Sequence, residues 1–157
     1  MLRELQVTKD KPANSMYKAG EETIMTGSPV VKDETNKTFK FVDAETAADI
    51  FFVDKERVPS GINCTRGDMS DYEADFTTLK ENEFGKLIAY FVGERFAVDQ
   101  FVKAGLEAGV RVAANTEGKL VKAGSGVASK YVFKSFYDDN GHELALIEVS
   151  DTAVANA

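Results

Sequence analysis

The sequence predicts a mainly β protein: a small antiparallel barrel or sandwich with one short helix, a polar N-terminal arm and two candidate echoed β units. Three observations carry that expectation. Short apolar runs recur about every 8–12 residues with turn residues between them, the rhythm of small all-β folds. Residues 38–42 set Phe39 and Phe41 against Thr38, Lys40 and Val42, the period-2 alternation of a half-buried strand. Asn140-Gly141 separates two apolar runs, and that dipeptide accepts the positive φ that a tight hairpin turn needs at both central positions.

The elements follow in order. Residues 1–16 are polar and contain Pro12; Leu2, Leu5 and Val7 are their spaced apolar contacts. They read as an arm, mobile or docked on something else. The body, 17–149, opens with Thr23-Ile24-Met25, Val30-Val31-Lys32 and residues 38–42, separated by Gly27-Ser28-Pro29 and the polar turn 33–37. Ile50-Phe51-Phe52-Val53 and residues 58–63 continue the series. Residues 66–86 read as an acidic, solvated insertion. Arg66-Gly67-Asp68 is a three-residue chance match to an adhesion motif. Asp68, Asp71, Glu73 and Asp75 lack the glycine and spacing of a calcium loop.

Residues 87–92 read as a buried strand, and Phe96 to Val98 as a strand end. Val98, Phe101, Val102 and Leu106 fit one helical face, which predicts a short helix near 99–107, kept short by Gly105 and Gly109. Residues 110–112 and 119–122 return to strand. Residues 130–137 and 143–149 should pair across Asn140-Gly141, with Leu144, Leu146 and Glu148 on one face and Ala145, Ile147 and Val149 on the other. The tail, 150–157, is expected to fray.

The scarce residues narrow the function. A chain of 157 residues buries roughly 70% of its unfolded surface and so supports a core without staples. Cys64 is the only cysteine and His142 the only histidine. Disulfides within the chain and Cys₄ or Cys₂His₂ zinc sites are therefore excluded. Cys64 reads as a small hydrophobe and His142 as a turn residue; a dyad between them has no local signature. Neither a phosphate loop nor a Gly-x-Ser-x-Gly elbow occurs. The expectation is a non-enzyme with no catalytic residue, metal or cofactor. Residues 1–7 lack the apolar core of a signal peptide. The longest apolar run, 87–92, is far short of a membrane span. Net charge is −7, which opposes binding to phosphate backbones. A soluble protein of a reducing compartment, without nucleic acid or membrane partners, is expected.

The two halves echo each other. Lys18-Ala19-Gly20 reappears as Lys103-Ala104-Gly105, and residues 35–40 resemble 116–122. Residues 47–52 fall on 128–133 at a shift of 81. A duplicated β unit competes here with chance repetition of turn chemistry.

Ala19-Gly20-Glu21 through Gly27-Ser28-Pro29-Val30-Val31-Lys32 resembles the opening of the small β-rich capsid decoration proteins of tailed bacteriophages. Residues 96–101, Gly109-Val110-Arg111-Val112 and Glu117-Gly118-Lys119-Leu120-Val121-Lys122-Ala123 resemble their second half. The layout spans 17–149 and is structural rather than catalytic. It implies a virion protein on the capsid exterior, made in the host cytoplasm, that binds the major capsid protein and strengthens the head. Many members are trimers. The acidic 66–86 segment departs from compact relatives. Within this reading Leu2, Leu5 and Val7 are the capsid-contact candidates. The alternatives are another virion part, such as a tail-tube or adaptor subunit, and a carbohydrate- or ligand-binding β module.

Overall fold

The computed structural model describes residues 1–7, 16–20, 23–55 and 77–156. These form a mainly β fold of curled sheets in a sandwich-like arrangement. Its strands are β1 (Leu2–Gln6), β2 (Lys18–Ala19), β3 (Ile24–Met25), β4 (Pro29–Asp33), β5 (Thr38–Lys40), β6 (Phe51–Asp54), β7 (Thr78–Leu79) and β8 (Lys86–Ile88) in the first half. The second half supplies β9 (Arg95–Val98), β10 (Val112–Ala114), β11 (Leu120–Lys122), β12 (Ser129–Asp139) and β13 (His142–Val154).

The two halves share one strand plan. In the first, the order is β2-β5-β4-β6-β8, with β2 parallel to β5 and the other pairs antiparallel. Lys18 also bridges Phe84, just ahead of β8, so the sheet curls until its ends meet. In the second, Phe101, just past β9, bridges Leu120 in parallel and Arg111 bridges Val132. Pairing of β10 with β11, β12 with β13 and β13 with β9 completes the same order. Val31↔Lys40, Val30↔Phe51 and Phe52↔Ile88 recur as Val112↔Lys122, Arg111↔Val132 and Phe133↔Ile147. The echo is therefore one of register as well as composition. The turns follow suit: Lys37 and Gly118 both have positive φ, 54° and 69°. Lys103-Ala104-Gly105, by contrast, lies in a turn, whereas Lys18 and Ala19 lie in a strand, so that match is not structural.

Equivalent faces of the two units pack on each other. Phe52 and Ile88 from the first, and Val112, Phe133 and Ile147 from the second, lie in one central core, with Val31 packed against it. At its middle the Phe52 ring sits 4.5 Å from Phe96 and 5.6 Å from Tyr131, and Tyr90 stacks on Phe96 at 3.9 Å. Burying each such ring contributes roughly 1.5–3 kcal/mol, with about 0.5–1.5 kcal/mol more per ring pair. Polar links join the units at the rim. Thr46 and Ala114 exchange two backbone hydrogen bonds of 2.8 and 3.1 Å, and Gly124 N–H donates to the Glu45 carboxylate at 2.6 Å.

The back faces differ. In the first unit Val30, Phe39, Val53 and Leu87 form a second core with Tyr17, Ile24 and Leu79. In the second unit the positions of Val30 and Val53 are taken by Arg111 and Lys134, both half-exposed.

Several expectations change. No helix forms over 99–107: Val102 N–H donates to Leu120 C=O at 2.8 Å and Leu106 N–H to Lys103 C=O at 3.2 Å. Val98, Phe101 and Leu106 reach the central core from a strand and turns, so their helix-like spacing is incidental. Residues 77–86 are not insertion but body, since β7 pairs with β3 and Phe84 with Lys18. Residues 58–63, Cys64, Arg66-Gly67-Asp68 and the carboxylates of 68–75 lie outside the described residues. The strand expected over 87–92 stops at Ile88. The tail does not fray by 150: β13 runs to Val154. Asn156 then binds like a strand rung, accepting from Arg111 N–H at 2.9 Å and donating to Ala123 C=O at 2.7 Å. The Asn140-Gly141 hairpin forms as expected, with φ of 54° and 90°.

Gly118 tests the seam between units. A Cβ there would overlap the Phe41 ring, whereas one at Gly126, also at positive φ, meets nothing. Gly126→Ala should cost about 1–2 kcal/mol for the left-handed backbone alone. Gly118→Ala should cost about 3 kcal/mol or more because overpacking adds to it. Urea unfolding of the two variants measures the difference; equal losses would contradict the packing of Phe41 on Gly118.

Candidate functional site

The arm residues named from sequence divide. Strand β1 lies on the edge of the sheet β1-β9-β13-β12, pairing Leu2 with Val98, Glu4 with Phe96 and Gln6 with Arg95. Leu2 and Val7, both partly buried, pack against the protein's own central core. Residues 1–7 are thus docked on the body; 8–15 lie outside the described residues. Met1 is fully buried, with its amine donating to Thr26 C=O at 2.7 Å. Leu5 differs because the register shifts between Glu4 and Gln6. A bulge re-aims a side chain, and Leu5 is 41% exposed.

The bulge lies opposite the start of β9, directly after a tight turn at 91–94. Phe91 and Val92 at that turn are 51% and 58% exposed. The turn backbone is fixed from below. The carboxylate of Glu94, fully buried, accepts from Phe91 N–H at 2.7 Å. Glu94 N–H donates to Phe91 C=O at 3.1 Å, Gly93 N–H to Val149 C=O at 2.8 Å, and Val149 N–H to Glu94 C=O at 3.0 Å. Gly93 takes φ +86° with open space around it, so the turn needs the glycine for its backbone. Beneath the turn, burial raises the Tyr90 phenol pKa well above its ordinary value, helped by the nearby Glu4, Asp54 and Glu94 carboxylates. Burial does the same to Tyr131, with Asp49 adding to it.

Phe91 and Val92, held out on this hydrogen-bonded turn, form the candidate site together with the exposed Leu5 of the bulge on the neighbouring strand. Its chemistry is that of contact. Large side chains on a preorganised backbone bind with little ordering cost, and an exposed apolar cluster marks an interaction surface. Sequence reasoning missed Phe91 and Val92 because they end an apolar run; Gly93-Glu94 was the signal that the run turns outward.

Elsewhere, a cleft of about 550 Å³ is lined by Ile24, Asp33, Phe39, Lys40, Phe41 and Asp43, among others. Among the described residues no group of three or more His, Cys, Asp or Glu is placed to hold a metal ion. No helix among them is long and apolar enough to cross a membrane. His142 stands opposite Asp139 at the hairpin turn. No family model, curated protein or solved structure matches the chain.

The two buried phenols set an alkaline limit. Their folded pKa values lie above the ordinary 10.0, so they favour folding fully below that pH, and this contribution is lost as pH rises above it. The urea midpoint should fall between pH 9 and pH 11, measured by circular dichroism, and a Tyr90→Phe/Tyr131→Phe variant should flatten that fall. A wild-type midpoint unchanged across the window would contradict the assignment.

Proposed function

We propose that the protein is a structural component of a virion that binds the outer face of a phage head through its major capsid protein and stabilises the shell. The exposed apolar side chains of Phe91 and Val92 on their hydrogen-bonded turn, with Leu5 exposed on the neighbouring strand, are the observation that carries the reading. A cement protein needs a stiff body and a contact surface rather than a reaction centre. Two β units sharing one core supply stiffness, and these side chains supply a contact surface. The resemblance of residues 17–149 to decoration proteins supports the same reading, and so does the acidic composition. A body of net charge −7 suits the outside of a DNA-filled shell better than its lining. Modest affinity per site suffices where a lattice offers many sites, which multivalency compounds when the protein self-associates, for instance as a trimer.

A second reading, a tail-tube or adaptor subunit, draws on the long β12–β13 hairpin, since tube proteins pair through such hairpins. Here that hairpin is packed along β9, which favours the first reading. Ring or tube formation by the isolated protein would reverse the preference.

The test is co-sedimentation of the purified protein with mature shells that lack it. Saturable binding and a higher shell melting temperature are expected, and Phe91→Ser/Val92→Ser should bind at least tenfold more weakly while keeping its own unfolding midpoint. Failure of the wild-type protein to bind any mature shell would overturn the reading.

A further inference from the structure

One row of directly paired residues crosses the back of the second unit. Arg111 faces Val132, Val132 faces Glu148, Glu148 faces Arg95, and Arg95 faces Gln6. Residues directly opposite in neighbouring strands point to the same side of a sheet, so this row lies on one face. Lys134 joins it, reaching the Glu148 carboxylate at 3.4 Å. Arg95 holds the same carboxylate from the other side at 2.5 Å. Two cations thus hold a single acid, and a third, Arg111, lies further along the row with its guanidinium donating to Thr152 C=O at 3.2 Å, in a chain whose net charge is −7. The side chains of Arg95 and Lys134 are 44% and 39% exposed.

The internal repeat sharpens the contrast. In the first unit the counterparts of Arg111, Val132 and Lys134 are Val30, Phe51 and Val53, which lie in or against the second core beneath Tyr17, Ile24 and Leu79. The same sheet face is covered and apolar in one unit, and open and basic in the other. The row also runs into the candidate site: Gln6 follows the Leu5 bulge, and Arg95 follows the 91–94 turn.

We infer that the row Arg95–Glu148–Val132–Arg111, with Lys134, is a docking face for an acidic strip on a protein partner, continuous with the candidate site. The inference rests on the shell-binding reading and names the chemistry of the shell surface that would be recognised. Charge complementarity selects the occupant. A local excess of cations attracts an acidic protein surface, while the net negative charge repels a long polyphosphate approaching from solution. Arginines flanking a short apolar stretch are also the usual make-up of a protein interface.

The test titrates shells with wild-type protein, Arg111→Gln/Lys134→Gln and Glu148→Gln, at two salt concentrations. Loss of the two cations should weaken binding about threefold each, roughly tenfold together, and reduce its salt dependence. Glu148→Gln removes the one acid and should bind as tightly as wild type or tighter. A purely structural role predicts the opposite, since losing Glu148 breaks the same ion pairs. Unfolding midpoints of the free variants separate misfolding from lost contact; if the double variant is unfolded, Glu148→Gln and the wild-type salt slope decide. Wild-type binding that the double variant retains in full overturns this inference and leaves the shell reading standing. No wild-type binding at all overturns the shell reading itself. Tight wild-type binding to duplex DNA or heparin, or self-association lost in the double variant, would assign the face to a polyanion or a second copy and overturn the inference.

Discussion

The structure depends on one aromatic contact between equivalent faces. Phe52 of the first unit lies against Phe96 and Tyr131 of the second, and Tyr90, on the connection between them, stacks on Phe96. The first unit alone is a set of short strands, none longer than five residues. Ordering each residue costs about 1–2 kcal/mol of backbone entropy, which strands this short offset only by burying a face. The shared plan makes that burial mutual: Phe52 and Phe133, and Ile88 and Ile147, occupy matching positions and meet in one core. It is the logic of a two-fold dimer, self-complementary faces in contact, carried out within one chain.

Once the front faces are committed to each other, the back faces are free to diverge. The first unit spends its back face on a second core, with Val30, Phe39 and Val53 covered by Tyr17, Ile24 and Leu79. The second keeps charge there. Chain turns at the end of the shared core project Phe91 and Val92 outward, and the buried Glu94 carboxylate fixes them by holding the Phe91 amide. Stability and contact are thus divided between faces of the same sheets.

Much of the fold was legible in the sequence. Asn140-Gly141 marked its hairpin, Phe39 marked β5, which ends at Lys40 short of Phe41, and Ala47 to Phe52 against Ala128 to Phe133 marked the register of the repeat. What was not legible depended on pairing rather than pattern. Val98, Phe101 and Leu106 looked helical because strand ends and turns can also bring such a spacing to one core. The packing of Leu2 and Val7 on the body was not legible because nothing local says that β9 has an edge for β1 to join. Leu5 stands out only through a bulge, which needs the register of two strands to be seen. The basic row is dispersed over residues 95 to 148 and exists only after four strands are aligned.

The central claim is that the two units stand or fall together through the aromatic seam. Native-state hydrogen exchange tests it most directly. Val53 N–H, bonded to Ser28 C=O in the first unit, and Leu120 N–H, bonded to Gln100 C=O in the second, should exchange with the same opening free energy and the same denaturant slope. Opening of Val53 at lower free energy and shallower slope, while Leu120 stays protected, would show two independent units and contradict the account.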